Sequence, residues 1–308
     1  MQTASASAAP IGEPYAAVVQ PGVNIARPAV PRAPVLSALH RDFLDPVSKH
    51  ADLLYVSNYA SSEIEIFDHN FRLVGKITEG IRNPQQLAVD RFGTLYVCNI
   101  GNSTVTEYAR GSTSPTKTLS SGLPGPTGIA VTPNRTIYVS NNSGSAMSIV
   151  KFLPGRDTPV TVTQAIQFPL GLALDKGGNL FVGAETAGVY EIPSGSTMAV
   201  RLKIKVPQFV IGVAIGISGE LDVSGQATNN RSTEVDKFKP PYMGAPFERI
   251  ETGRNALPYY LTAPGDLLFV PLSGLNQVNV YRGQSAKPIA TITKGLNAPE
   301  GVALSAGS

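Results

Sequence analysis

The sequence has few of the residues on which several protein classes depend. Its 308 residues include one cysteine, three histidines and no tryptophan. The single cysteine, Cys98, excludes an internal disulfide framework and a zinc site built on cysteines. Charged residues make up 15% of the chain and leave a formal net charge of +3, which is too small for the dense positive face that nucleic acid requires. Nucleic acid is therefore not an expected partner.

Long apolar runs are missing as well. No stretch reaches the roughly 18 consecutive apolar residues of a membrane-spanning helix, so no membrane span is expected. The first residues, MQTASASAAPIGEPYAA, contain neither the charged segment nor the apolar segment of an export signal. We therefore expect no signal peptide in the chain as given.

Glycine and proline are abundant instead, with 30 and 25 residues. So many turn-forming residues favour short strands over long helices. One short string, Leu-Tyr-Val-Ser-Asn at 54–58, has further copies that begin at Leu95, Ile137, Leu180, Leu221 and Leu268. Successive copies begin 41 to 47 residues apart. The chain is therefore expected to be an all-β repeat protein.

A second string precedes every copy except the first. Its clearest version is Pro126-Thr-Gly-Ile-Ala-Val131, and a last copy at 299–305 ends the chain without a partner. Two further extended segments follow each pair of strings, which makes four strands per repeat. Four-stranded units of this length are typical of propeller blades. We name the strands of a blade A to D from the axis outward, with the second string as A and the first as B.

The two chain ends complete each other in this pattern. The A string at 299–305 has no B strand, and the B string at 54–58 has no A strand. The sequence therefore predicts a six-bladed β-propeller of four-stranded antiparallel blades over 51–308, closed by pairing the C-terminal strand with the first blade. Pro271 lies in strand B of blade six and removes a ladder donor, so this blade should be the least regular.

Residues 1–50 lack the repeat. They are rich in alanine and proline, and the segment ARPAVPRAP at 26–34 resembles an extended linker. The prediction is a largely disordered tail with a short helix over 37–44, capped by Ser37 and ended by Pro46.

When the repeats are aligned, two sets of equivalent positions, which we call columns, converge on the axis. They lie at the face that carries the D-to-A and B-to-C connections, which we call the funnel face. One column is the residue between Pro and Gly of strand A, and the other is the last residue of strand B. Both columns are polar in blades one to three and apolar in blades four to six, where strand A supplies Leu170 and Ile211. The predicted ligand-binding residues are Glu300, Gln85, Thr127, Asn58, Asn99, Asn141, Glu185 and Tyr259.

This division predicts a funnel with a polar wall and an apolar wall. Such a funnel suits a small amphiphilic molecule, a glycan or a peptide. In the alternative interpretation, the three asparagines only bond to the backbone at turns. Blade five has two longer loops, which are expected on opposite faces. The loop at 226–232 is expected to overhang the funnel beside Tyr259 and Tyr260, and the proline-rich loop at 239–246 offers a contact for another protein. No catalytic residue, metal ligand or cofactor is predicted, and the chain is expected to be a monomer.

The P-x-G-I-A-V string at 126–131, the following Tyr138-Val139 and the repeat length resemble the NHL-repeat group of six-bladed propellers. The segments 52–59 and 108–115 look like those of exported bacterial propellers, and this resemblance implies a periplasmic or secreted, and so extracytoplasmic, location. The favoured function is a non-catalytic binding or scaffold module.

A more distant similarity to the SMP-30/gluconolactonase group gives the alternative, a metal-dependent lactone hydrolase. Glu300-Gly301 looks like the Glu-Gly of the first blade in that group. The positions where the group has its Asn and Asp ligands are Leu170 and Ile211 in this chain, and a hard cation needs several oxygen ligands.

Overall fold

The computed structural model describes residues 43–44, 52–144, 147–226, 233–283 and 285–305. These residues form 26 β-strands and two short 3-10 turns, at Ile100–Asn102 and Ser273–Leu275, and no α-helix. The strands make six small antiparallel sheets in a ring, which confirms the predicted all-β, six-bladed propeller. No helix in this part of the chain is long and apolar enough to cross a membrane.

The first three blades follow the predicted repeat closely. From the axis outward, blade one contains β26 (Pro299–Ser305), β2 (Leu53–Asn58), β3 (Glu63–Phe67), β4 (Leu73–Ile77) and a fifth strand, β1 (Phe43–Leu44). Blade two contains β5 (Pro84–Val89), β6 (Leu95–Asn99), β7 (Thr104–Tyr108) and β8 (Lys117–Leu119). Blade three contains β9 (Pro126–Val131), β10 (Ile137–Asn141), β11 (Ser148–Phe152) and β12 (Val160–Thr163).

The last three blades depart further from it. Blade four contains β13 (Pro169–Leu174), β14 (Leu180–Ala184), β15 (Gly188–Ile192) and β16 (Val200–Arg201). Blade five contains β18 (Phe209–Ile215), β19 (Leu221–Gln226), β20 (Thr233–Phe238) and β22 (Glu248–Gly253). A short parallel pair joins β17 (Lys203–Ile204), which follows blade four in sequence, to β21 (Met243–Gly244), which lies between β20 and β22 of blade five. Blade six contains β23 (Leu267–Leu272), β24 (Gln277–Arg282) and β25 (Ala290–Ile292).

The ring closes as the sequence predicts. Strand β26 pairs antiparallel with β2, and Tyr55 lies opposite Ala303 while Val56 lies opposite Val302. The inner strands then contact one another in ring order, from β26 to β5, β9, β13 and β18. Blade one is therefore built from both ends of the propeller segment, and the inner edge of β2 is covered.

Blade six is the least regular blade, as Pro271 indicates. Its inner segment is reduced to isolated bridges that join Pro258 to Leu272 and Thr262 to Phe269. A further bridge joins Tyr260 to Gly301 of blade one. The inner segment of this blade thus keeps its position with only a partial ladder.

Of residues 1–50 the structure describes only the last two of the predicted helix, and these are not helical. Phe43 and Leu44, placed at the end of the predicted helix, form strand β1 and pair with Lys76 and Gly75 of β4. A sheet edge supplies backbone partners for an extended segment, and this tertiary contact overrides a weak local helix signal. The remainder of the predicted tail and helix lies outside the described residues.

The apolar core lies between the blades rather than within any one of them. Each of six buried clusters combines side chains of two adjacent blades, as in the cluster that joins Tyr55 and Ile66 of blade one to Leu87 and Val97 of blade two. Because a four-stranded sheet can bury its faces only against its neighbours, this arrangement holds the ring together. It also fixes the inner strands around the axis.

Candidate functional site

Hydroxyl groups of strand B hold the inner strands in place. The Oγ atom of Ser57 accepts a hydrogen bond from the backbone N of Gly301, at 2.6 Å, and donates one to the backbone O of Gln85 in the next blade, at 2.9 Å. Ser140 and Ser224 repeat this pattern in blades three and five. The hydroxyls of these three strand B serines therefore tie neighbouring blades together.

Glycines of strand A permit the close approach that these ties require. A Cβ atom on Gly128 would lie 2.0 Å from the backbone O of Leu170 in the next blade, and one on Gly212 would lie 2.4 Å from the backbone O of Tyr259. No real Cβ contact is that short. The inner strands of these blades therefore pack backbone against backbone.

Two larger side chains occupy the same glycine column in blades two and six, and they fill the space near the axis. The Gln86 amide donates to the backbone O of Leu172, at 2.8 Å, and accepts from the backbone N of Ile129 and of Leu172, at 3.1 and 2.9 Å. Tyr260 is fully buried and donates to Oε1 of Gln85, at 2.9 Å. Neither residue is among the predicted ligand-binding residues, although their departure from glycine in this column is a usable signal.

The charged member of the predicted polar wall is enclosed. Glu300 is 2% exposed, and its Oε2 accepts a hydrogen bond from Nε2 of Gln85 at 2.5 Å. Burial raises the pKa of the Glu300 carboxyl well above its usual range, and burial together with the nearby Glu300 also raises the pKa of Tyr260. Glu300, Gln85 and Tyr260 thus form one hydrogen-bonded cluster, which we call the axial cluster.

The three predicted asparagines are buried and bonded within the protein. Asn58 joins the end of strand B to the D-to-A loop, because its amide donates to the backbone O of Gly295 at 2.8 Å and accepts from the backbone N of Asn297 at 3.1 Å. Asn99 accepts from the backbone N of Arg82 at 3.0 Å, and Asn141 donates to the backbone O of Gly122 at 3.0 Å. The turn interpretation accounts for these contacts, while a direct role in ligand binding stays a prediction.

The remaining predicted residues differ in exposure. Thr127 and Tyr259 are buried, and the rings of Tyr259 and Tyr260 meet edge to face at 5.9 Å. Glu185 is partly exposed, as are Leu170 and Ile211 of the apolar wall. The predicted polar residues therefore lie within the ring, except Glu185, whereas Leu170 and Ile211 of the apolar wall keep part of their surface exposed.

An open groove lies on the funnel face beside this apolar wall. It has a volume of about 430 Å³ and is lined by Met147, Ile166 and Phe168 together with Gln164 and Gln167. The Phe168 backbone is left-handed, with φ of 50°, while the side chain is 39% exposed. We call this site the Phe168 groove. It combines apolar side chains with two amides, as small-molecule sites commonly do.

Comparisons with known proteins identify the fold. No protein-family model matches the chain, and no curated protein matches its sequence. A chain of a nidogen/laminin complex is similar in structure, with a TM-score of 0.71 and 16% identity over 83% of this chain and 98% of that one. Virginiamycin B lyase from Staphylococcus aureus is similar with a TM-score of 0.57 and 13% sequence identity, and the match covers 85% of this chain and 91% of the lyase. A putative gluconolactonase has a TM-score of 0.57 and 13% sequence identity, and the match covers 76% of this chain and 84% of that protein. The chain is thus a six-bladed β-propeller with structural neighbours among both enzymes and components of protein complexes.

Proposed function

We propose that the protein is a non-catalytic binding module whose ligand binds on the funnel face, in the Phe168 groove. The observation that carries this proposal is the contrast between the axis and the rim. Residues of the axial cluster are buried and bonded to one another, whereas the Phe168 groove is open to solvent. A ligand can reach the groove without breaking the hydrogen bonds that hold the inner strands.

The chemistry of the groove indicates an amphiphilic ligand. Met147, Ile166 and Phe168 offer apolar contact, and the amides of Gln164 and Gln167 can donate and accept hydrogen bonds. Its volume lies in the range of sites for small molecules. A small amphiphile, a glycan or a short peptide would meet both kinds of group.

Phe168 itself supports a role in binding. Five blades have a positive φ at the position before strand A, which is occupied by Asn83, Gly125, Phe168, Leu257 and Ala298. This left-handed conformation costs a non-glycine residue about 1–3 kcal/mol, and Phe168 has the largest side chain of the five. The turn alone does not require a large aromatic side chain that is exposed to solvent. It is a suitable anchor for an apolar ligand group.

Metal-dependent lactone hydrolysis remains the alternative, since a putative gluconolactonase is among the structural neighbours. The residues at the axis do not fit a divalent cation, because Glu300 is the only carboxylate of the axial cluster and Oε1 of Gln85 already accepts from Tyr260. Among the described residues no group of three or more potential metal ligands comes together. We therefore derive no catalytic step through a metal.

The test is a thermal-shift screen of the full chain with amphiphilic small molecules, glycans, peptides and lactones, the last with and without calcium. A ligand at a hundred times its dissociation constant should stabilise the fold by about 2.7 kcal/mol. The Phe168→Ala variant should lose this shift, while Phe92→Ala should keep it. Phe92 is a matched control, because it is a 58% exposed phenylalanine in the A-to-B turn of blade two.

Three results would count against the proposal. If no compound shifts the melt, the funnel face is not a small-molecule site. If the shift survives in Phe168→Ala, the ligand binds elsewhere. Calcium-dependent lactone turnover that Glu300→Gln abolishes would favour the hydrolase.

A further inference from the structure

A second groove lies on the opposite face, between blades two and three. It has a volume of about 220 Å³, and its lining includes Tyr96, Glu107, Lys117, Arg135, Leu153 and Arg156. Arg135 belongs to the A-to-B turn of blade three, and Leu153 and Arg156 belong to its C-to-D turn. We call this site the Arg135 groove. It is separate from the Phe168 groove, because these turns lie at the other end of the strands.

Arg135 occupies a position that favours glycine. Its φ is 67°, and the same place in the A-to-B turns of blades two, four and five is taken by Gly93, Gly178 and Gly219, with φ of 82°, 80° and 85°. A left-handed backbone is unfavourable for a residue with a long side chain. The turn itself therefore gives no reason for an arginine, and the reason lies in what the guanidinium contacts.

The guanidinium of Arg135 is held against blade two. Its Nε and Nη2 donate to the hydroxyl of Tyr96 at 3.3 and 3.1 Å, and Nε lies 3.1 Å from Oδ2 of Asp90. The Tyr96 hydroxyl in turn donates to Asp90 at 3.1 Å. Nη2 is 3.9 Å from Oε2 of Glu107, which is beyond hydrogen-bonding distance. These contacts fix the guanidinium at the edge of the groove while its side chain stays 44% exposed.

Two more cations line the same space. Nζ of Lys117 pairs with Oδ1 of Asp157 at 2.5 Å, but the Asp157 side chain is 76% exposed, so this carboxylate is not confined to the pair. The Arg156 guanidinium makes no ion pair with any other residue in the described ranges. The lining thus has three cations and one carboxylate, Glu107, beside the apolar surface of Leu153.

We propose that the Arg135 groove binds a small organic anion, a molecule that carries a carboxylate or a phosphate group and a short apolar part. The fixed Arg135 and the unpaired Arg156 supply charge-assisted hydrogen bonds to the oxyanion, and Leu153 contacts the apolar part. The volume equals that of about seven water molecules at ~30 Å³ each. This size favours a small molecule over a polymer.

The experiment is a titration of the isotopically labelled full chain with benzoate and with phenyl phosphate, followed by amide chemical shifts. Saturable shifts are expected at Gly155, Arg156 and Lys117. Arg156→Gln should weaken binding about tenfold or more, the loss expected for one charge-assisted hydrogen bond, without changing the melting temperature. Lys287→Gln is the matched control, because it removes one exposed cation from blade six and should bind as the parent does.

Glu107→Gln gives a test in the opposite direction. Glu107 is the carboxylate of the lining, so its removal should strengthen anion binding, whereas a purely structural cluster would only lose stability. A preference for benzoate or for phenyl phosphate identifies the oxyanion. The proposal is overturned if neither compound gives saturable shifts, if sodium chloride at equal ionic strength reproduces them, or if Arg156→Gln and Lys287→Gln bind alike.

Discussion

Single side chains at the axis decide how closely the inner strands approach one another. Four positions of one strand A column are glycine, and a Cβ at any of them would lie within 3.0 Å of the next blade. The column also contains Gln86 and Tyr260, whose polar groups are bonded inside the ring. At this scale the axis is a packed core, and each residue there is constrained by both neighbouring blades.

A glycine substitution tests this constraint directly. We expect Gly128→Ala to lower the free energy of unfolding by at least about 1–3 kcal/mol, because its Cβ would overlap the backbone of Leu170, which cannot move without shifting a strand. Gly177→Ala is the control, since its Cβ would lie 3.3 Å or more from the nearest side-chain atoms. Urea titrations of both variants measure the difference. Equal stabilities would mean that the inner strands are not so tightly packed.

The buried carboxyl of Glu300 predicts a pH dependence. Burial raises its pKa well above the usual 4.5, so the folded state holds one more proton than the unfolded state between these two values. Stability should therefore fall as the pH rises above about 4.5. Glu300→Gln keeps an acceptor for Gln85 but cannot ionise. The variant should therefore be more stable than the parent at neutral pH, and its stability should decrease less steeply as the pH rises.

Melting temperatures between pH 4 and pH 8 measure this effect. Burial also raises the pKa of Glu65 to about 7 and that of Asp222 to about 6, so part of the slope should persist in the variant. The quantity to compare is the difference in melting temperature between Glu300→Gln and the parent at each pH. The control is Glu251→Gln, which changes an exposed glutamate. A difference that stays constant with pH would show that folding does not raise the pKa of Glu300.

At the scale of strands, neighbouring blades are joined at the axis in three ways. Serine hydroxyls join blade one to two, three to four and five to six. Where strand B has glycine or proline instead, the backbone makes the connection. Val210 donates to the backbone O of Glu185, at 2.9 Å, and Tyr260 donates to that of Glu300, at 2.8 Å. Between blades two and three, the thiol of Cys98 lies 3.5 Å from the backbone O of Gly128.

Removing one serine tie should weaken the ring measurably. Ser140→Ala leaves the buried N–H of Gly128 without its acceptor and the carbonyl of Leu170 without its donor. An unsatisfied buried group costs about 1–3 kcal/mol, so the free energy of unfolding should fall by about that amount. Ser120→Ala, at an exposed site in the D-to-A loop of blade three, should have little effect. Equal free energies of unfolding for the two variants, measured by chemical denaturation, would contradict the role of the strand B serine hydroxyls.

At the scale of the whole molecule, the fold could be predicted because short repeated segments of the sequence indicate the strands of each blade. Each blade repeats the same strands A and B, and an unpaired string at each end implies closure. The axial cluster could not be predicted in this way, because Gln85 and Glu300 are separated by 215 residues and meet only when the ring is closed. The Phe168 groove lies in connections outside the repeated strings, so no column comparison would reveal it.

Closure itself gives the last prediction. A chain that ends before residue 297 lacks β26, and with it the buried side chains of Val302 and Ala303 and the N–H of Gly301 that bonds to Ser57. Burial of Val302 alone contributes about 1.5–3 kcal/mol, and 1 kcal/mol corresponds to about 2–4 °C in melting temperature for chains of 150–250 residues. With the edge of β2 exposed, the truncated protein should melt at least about ten degrees lower and self-associate. A chain that ends at Ser305 keeps β26 and should behave as the parent in calorimetry and sedimentation. If the shorter chain were monomeric and melted with the parent, blade one would not need its C-terminal strand, and the ring would have to be held by the contacts between blades alone.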